Sequence, residues 1–284
     1  MLLTASNNAV EFTVNGRKIS GISYGNAQQP LLLCLHGWLD NAASFLPLMP
    51  YLDDYYVIAI DWPGHGLSSH RSADAHYHFV DWVYDLVSLF QAQGWQAIDI
   101  VGHSMGAMVA SAFAAAFPEY VKSLTLIDAI GFITTKPEAT TKQLRKGLLS
   151  RLPRANKVLK YHASLDSAIK ARVSVSDLDY DNARLIVQRG IEQNENGFSW
   201  RSDKRLRMTS AYRLTMAQAK QLLASITMPV QLLYGSQGMA TLEQGIAIFA
   251  PQLNDLTLHK LEGGHHVHME QAEQTAKLIK NFVQ

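Results

Sequence analysis

Ser104 stands at the centre of Gly102-His103-Ser104-Met105-Gly106, between the apolar run Ile98-Asp99-Ile100-Val101 and the small-residue run Ala107-Met108-Val109-Ala110-Ser111-Ala112. A serine hydroxyl attacks carbonyl carbon effectively only when a neighbouring base takes its proton. A strand, a tight turn and a helix in that order expose such a hydroxyl at the top of a sheet. The plainer role for a Ser in front of a helix is an N-cap, so the surrounding loops have to decide. His36-Gly37-Trp38 follows the apolar run Leu31-Leu32-Leu33-Cys34-Leu35. In a G-x-S-x-G architecture, a backbone N–H from this loop and that of the residue after the nucleophile form an oxyanion hole, which assigns the donors to Trp38 and Met105. Donation is through the main chain, so loop shape matters more than side-chain type, and Gly37 permits that shape. His36, Gly37 and His103 flank these positions and are expected to bind substrate. A general base is offered by Gly263-Gly264-His265-His266-Val267-His268 near the C-terminus. His265, directly after Gly264, is the expected base, and His266 and His268 read as packing or surface residues. Three close histidines raise metal binding, but they include no i, i+4 pair and no neighbouring carboxylate cluster, so no metal site is expected.

These residues need a scaffold. Val10-Glu11-Phe12-Thr13-Val14, Asn15-Gly16 and Lys18-Ile19-Ser20-Gly21-Ile22 predict a β-hairpin with a type I′ turn. Short apolar runs at 31–35, 56–60, 98–101, 123–127, 230–234 and 256–261 alternate with helical stretches such as 78–93, where Phe79, Val83, Leu86, Val87 and Phe90 recur at helical spacing. The pattern predicts an α/β fold with a mostly parallel eight-stranded sheet and helices on both faces. About a hundred residues between the runs at 123–127 and 230–234 show no strong strand signal, too long for an ordinary loop. They predict a mainly helical cap over residues 132–226, inserted into a core of 1–131 and 227–284, above the sheet edge where ligands bind. Charge follows the same division. Residues 1–135 hold 4 Lys/Arg against 11 Asp/Glu, residues 136–226 hold 18 against 8, and residues 227–284 hold 3 against 5.

Four segments together, His36-Gly37, Asp61-Trp62-Pro63-Gly64-His65-Gly66-Leu67-Ser68, Gly102-His103-Ser104-Met105-Gly106 and Gly264-His265, resemble the α/β-hydrolase-fold enzymes in order and context. More narrowly, His36-Gly37-Trp38-Leu39-Asp40-Asn41-Ala42 and Gly64-His65-Gly66-Leu67-Ser68-Ser69-His70 resemble the serine hydrolase-like proteins. The resemblance covers essentially the whole chain outside the insertion. In the second segment, the glycines shape a turn after a strand, and Asp61 and His65 read as structural. One departure stands out. Many relatives carry the triad acid a few residues beyond a Gly after the seventh strand, whereas Tyr234-Gly235-Ser236-Gln237-Gly238-Met239 puts Gly238 there and the next carboxylate is Glu243. Some members, including certain haloalkane dehalogenases, place the acid after the sixth strand, and Asp128 closes Leu124-Thr125-Leu126-Ile127 at that place. Asp128 is therefore the expected triad acid, its alternative being a cap for the loop that opens the insertion.

The resulting expectation is a serine hydrolase of the carboxylesterase type, cleaving a small-molecule acyl substrate through an acyl-Ser104 intermediate. Thioester or C–C bond hydrolysis would use the same triad, and a hydrolase-like ligand-binding protein with little turnover is the alternative of another class. Ser at the elbow argues against Asp-dependent dehalogenase and epoxide-hydrolase chemistry. No cofactor is expected, since neither dinucleotide nor phosphate-loop fingerprints occur. Arg145, Lys146, Arg151, Arg154 and Lys157, or Arg201, Lys204, Arg205 and Arg207, either attract anionic substrates such as acyl-CoA or a membrane surface, or form the solvated faces of cap helices. No nucleic-acid motif accompanies them. Cys34, the sole cysteine, reads as a small buried hydrophobe. No run reaches the 18 apolar residues of a membrane span, the N-terminal stretch lacks a signal-peptide pattern, and the C-terminal Asn-Phe-Val-Gln is not a peroxisomal signal. The expected location is the cytoplasm, and a homo-oligomer stays open.

Overall fold

A computed structural model describes residues 7–152 and 161–283. The N-terminal strands β1 (Asn8–Val14) and β2 (Arg17–Tyr24) pair antiparallel around Asn15 and Gly16, both at positive φ, as a type I′ turn requires. Six further strands, β3 (Leu31–Leu35), β4 (Tyr56–Ile60), β5 (Ile98–His103), β6 (Val121–Ile127), and then β9 (Val230–Gly235) and β10 (Leu256–Leu261), complete an eight-stranded sheet ordered β1-β2-β4-β3-β5-β6-β9-β10. All its pairings from β4 to β10 are parallel. Only β2 runs against the rest, as the mostly parallel sheet anticipated from the sequence allows.

The central strands are buried on both faces, and the pleat divides their side chains between two cores. Leu33, Leu35, Ile58, Ile60, Ile100, Leu124 and Leu126 face one core; Leu32, Cys34, Val57, Ala59, Val101 and Ile127 face the other. Helix α1 (Phe79–Gln93) covers the first face with Trp82, Leu86, Leu89 and Phe90, and ends at Gly94 in the left-handed conformation that glycine adopts without strain. Helix α2 (Met105–Ala116) lies beside it, and its Ala- and Gly-rich sequence lets its backbone approach the sheet closely. Helix α7 (Leu242–Phe249) adds Leu242 and Phe249 to the first core, and the opposite face is covered by α9 (Ala272–Phe282), which buries Ala276 and Ile279.

The insertion after β6 holds α3 (Thr140–Arg151), α4 (Leu165–Val173), α5 (Tyr180–Gly190), the two-stranded hairpin β7 (Ile191–Asn194) and β8 (Gly197–Trp200), and α6 (Met216–Ala224). Ala168, Ile169, Leu178, Ala183, Ile186 and Val187 give it a small core of its own, which Met269 joins from the segment after β10. Two features differ from the sequence expectation. The insertion contains a hairpin, whose strands are only four residues each and carry a weak signal. Helix α6 packs on α2, with Ala219 and Leu223 in the main core, so the core layer resumes before residue 227. Arg154 and Lys157 lie outside the described residues. Among those described, no helix is long and apolar enough to cross a membrane.

Candidate active site

At the C-terminal end of β5 the chain turns sharply into α2, and Ser104 occupies the turn at φ 50° and ψ −114°. A non-glycine residue at positive φ is strained, and the surrounding contacts hold it: the Ser104 N–H donates to the Ile127 carbonyl at 3.0 Å. Gly106 has no room for a side chain, because a Cβ there would strike the Leu35 carbonyl. Ser104 stands at the N-cap position of α2, yet its hydroxyl makes no capping bond. It lies instead 3.0 Å from His265 Nε2.

His265 extends from the loop between β10 and the short α8 (Val267–Glu270). Its Nδ1 is 2.6 Å from Asp128 Oδ2, and its side chain is 22% exposed while that of Asp128 is fully buried. Asp128 also accepts the Gly235 N–H at 3.1 Å and the Met239 N–H at 3.2 Å. The two alternatives read from the sequence thus coincide: the carboxylate caps a loop and meets the histidine. Gly238 is the counterpart of this arrangement. A Cβ at Gly238 would collide with the Asp128 carboxylate, so the position where many relatives carry the acid is held open by the carboxylate that arrives from β6. With Nδ1–H donated to Asp128, the unprotonated Nε2 accepts the Ser104 O–H. The arrangement can take a proton from serine and stabilise the imidazolium that results.

Ser104, His265, Gly37 and Trp38 open on one cavity of about 800 Å³, whose far wall comes from the insertion through Arg172, Asp177, Trp200 and Arg207. Met105 begins α2, so its N–H has no acceptor within the helix. The Trp38 N–H likewise finds no acceptor among the described residues. The Trp38 side chain, half exposed, donates its Nε1–H to the Leu206 carbonyl at 3.1 Å and so ties this loop to the insertion. A separate hollow of about 370 Å³, between β2 and α5, brings together neither nucleophile nor base.

His36 does not belong to the cavity wall, contrary to the sequence expectation. It is fully buried, its Nε2 accepts the Trp62 N–H at 3.0 Å, and burial lowers its pKa to about 4. It is a buried brace between the ends of β3 and β4. His103 borders the cavity, but its ring is buried and its Nε2 is 2.9 Å from the His265 carbonyl. Burial first, then the neighbouring histidines, hold its pKa well below the usual imidazole value. Its ring therefore braces the His265 loop and is not free for substrate. Asp61 accepts the Ala42 and Leu67 N–H groups and pairs with Arg189 of α5, a structural junction. Cys34 is buried within β3.

His266 is more than a packing residue. Its Nδ1 is 2.6 Å from Asp177 Oδ1 and its Nε2 is 3.2 Å from Asp40 Oδ2. Burial opposes the charged ring, but the two carboxylates outweigh it and raise the pKa to about 9. Burial would raise Asp40 as well, yet the His266 and Arg172 charges hold it well below the usual carboxylate range. Arg172 of α4 lies 2.5 Å from Asp40. Asp40 and Asp177 come from opposite sides of the cleft, so His266 pins the histidine loop to both. Nothing in a single sequence connects residues 40, 172, 177 and 266; only the folded insertion does. Asp40, His103 and His266 also place donor atoms within 4.8 Å of one another, close enough to share a cation. In this arrangement, however, both ring nitrogens of His266 already face carboxylates, and Asp40 is matched by Arg172.

The α/β hydrolase fold family matches residues 30–272. The chain belongs to this family. A serine hydrolase-like protein of Danio rerio is 32% identical over 94% of this hydrolase and 85% of its own length. A crystal structure of a hypothetical protein from Pseudomonas aeruginosa PAO1 superposes with a TM-score of 0.91 and 33% identity, covering 97% of this hydrolase and 98% of that chain. The thioesterase domain from the curacin biosynthetic pathway gives a TM-score of 0.85 and 26% identity, covering 98% and 99% of the two chains.

Proposed function

We propose that the protein is a serine hydrolase that cleaves an ester or thioester through an acyl-Ser104 intermediate. The observation that carries this reading is the unbroken chain from Ser104 Oγ through His265 to Asp128, opening on a cavity. Ser104 Oγ attacks the carbonyl carbon as its proton passes to His265 Nε2. Asp128 orients the ring and stabilises its charge, and the Trp38 and Met105 N–H groups receive the oxyanion. Collapse of the tetrahedral species breaks the acyl bond, and His265 returns the proton to the leaving alkoxide or thiolate. Water then attacks the acyl-serine, giving its proton to the same nitrogen, and the acid leaves as Ser104 is reprotonated. The part of the insertion that precedes α6 acts as a cap that completes the acyl pocket. The likeness to a thioesterase domain supports keeping thioesters in the substrate range.

The test is covalent labelling with a fluorophosphonate probe, followed by mass spectrometry of the Ser104 peptide. Labelling in the parent protein and its absence in a folded Ser104→Ala variant are expected. An intact sample that does not label sinks the reading and favours a ligand-binding role.

A further inference from the structure

The cavity beside Ser104 carries a charge that acyl transfer does not use. Two acids on its wall, Asp40 and Asp177, are matched by Arg172 and His266. Arg207, at the end of the turn Lys204–Arg207, lines the same cavity, and its side chain has no hydrogen bond or ion pair among the described residues. None of the residues outside the description is Asp or Glu. Three nearby arginines are engaged elsewhere. Arg205 pairs with Asp203 and donates to the Arg71, Ser72 and Ala75 carbonyls. Arg201 donates to the Ile191 carbonyl and faces Glu192, and Arg189 pairs with Asp61.

Arg207 is itself exposed, but the turn that presents it is held in place. The Leu206 carbonyl beside it accepts the Trp38 indole N–H. The Asp203 N–H donates to Gly64 at 2.9 Å, and the Asp203 carboxylate accepts the Tyr77 hydroxyl at 2.9 Å. The turn that presents Arg207 is therefore anchored to the loop that carries the Trp38 N–H. Partial burial and the nearby Arg172 charge both oppose the guanidinium and lower its pKa, although an arginine stays charged at neutral pH. An anion placed between the cavity centre and Arg207 would relieve both effects, and a planar guanidinium fits an oxyanion with two parallel bonds.

We infer that Arg207 anchors an anionic group of the substrate, so that the cavity selects acyl compounds carrying a carboxylate, sulfate or phosphate. For turnover this rests on the acyl-Ser104 reading; for binding it does not. The anion can sit on the acyl side or on the leaving group, and paired probes separate the two.

Titration calorimetry on Ser104→Ala protein reads binding without hydrolysis. Monomethyl glutarate against methyl pentanoate tests the acyl side, and butyryl-coenzyme A against S-butyryl-N-acetylcysteamine tests the leaving side. In one pair the charged member is expected to bind about tenfold tighter or more, the worth of a charge-assisted pair. Adding Arg207→Gln should remove that preference while changing the neutral member by less than about twofold, within the spread of a surface substitution. Arg207→Lys, which keeps the charge and loses the fork, should retain part of it and guards against a folding artefact in the Gln variant. Equal binding within both pairs, or a preference that survives Arg207→Gln, overturns the inference. Failure of fluorophosphonate labelling with the preference intact counts only against the acyl-transfer reading.

Discussion

His265 and His266 are neighbours in the chain, and each has a carboxylate 2.6 Å from its Nδ1. Beyond that first contact the two rings part. The Nε2 of His265 faces a serine hydroxyl, in a side chain that is 22% exposed and borders the cavity. The Nε2 of His266 faces a second carboxylate, Asp40, and the side chain is 5% exposed. One carboxylate orients an imidazole and leaves its other nitrogen free to accept a proton. Two carboxylates in a buried setting hold the ring as an imidazolium, which has no lone pair to offer. The same residue type, one position apart, is thus placed with one nitrogen open to a serine hydroxyl in one case and pinned between two carboxylates in the other. The partner of Nε2 makes the difference.

The largest effect expected from breaking this comparison falls on the His265 side. In Asp128→Asn, the amide oxygen can still accept the Gly235 N–H, so the loop keeps part of its anchorage, while the amide nitrogen that faces the Met239 N–H and His265 Nδ1 can accept from neither. The ring loses the charge that stabilises its protonated form and the acceptor that fixes its tautomer. Turnover of 4-nitrophenyl acetate should fall by about 10³–10⁴, as removing the acid does in serine hydrolysis generally, with the circular dichroism spectrum unchanged. A kcat within tenfold of the parent value would remove Asp128 from the mechanism.

The sheet and the His265 side were legible in the sequence because their signals are local. The runs at 31–35 and 56–60 coincide with β3 and β4, since a strand buried on both faces must be continuously apolar. Ser104 was legible because a strained turn needs Gly on each side of it. The His266 side was not, because its partners are separated by 226 and 89 residues and one of them lies in the insertion. His36 misled for a related reason: the motif fixes its place in the loop, but whether its ring faces the cavity or Trp62 depends on packing. Gly238 was read as a missing acid and is instead the space that Asp128 fills. An absence in one strand loop acquires meaning only when its spatial neighbour is known.

A smaller effect is expected from Asp177→Asn, on the His266 side. Asp177 accepts both the ring and the His266 N–H at 3.0 Å, and a Cβ at Gly264 would strike its carboxylate. Replacing it should cost about 2 kcal/mol of stability in urea unfolding, the scale of a charge-assisted bond in a partly exposed site. It should also loosen the His265 loop from the insertion. We expect kcat to drop by about tenfold or less, because the residue acts by positioning and touches no reacting atom. A loss as large as that of Asp128→Asn would mean that His266 carries a proton in the reaction, and the two-ring comparison would have to be redrawn.

The smallest effect, a slope, sharpens the comparison through pH. His266 has its folded pKa raised to about 9, above the ordinary value near 6.5. Between those values the folded chain holds a proton that the unfolded chain has released, so stability is full below about 6.5 and is lost as pH rises through 9. His36, His65 and His268 behave oppositely: burial lowers them to about 4, 3 and 3, and His103 is lowered too. From about pH 6.5 downward, the unfolded chain takes up protons that these buried rings refuse, so stability falls as pH falls. Unfolding free energy should therefore peak near neutrality. The limits are about 1.4 kcal/mol per pH unit on the alkaline limb, for one proton, and up to about 5 on the acid limb, for four. Asp177→Asn leaves His266 a single carboxylate and should flatten the alkaline limb while sparing the acid one. If parent and variant share the same alkaline slope between pH 6.5 and 9, the charge on that limb belongs to another group, and His266 is not the imidazolium that distinguishes it from His265.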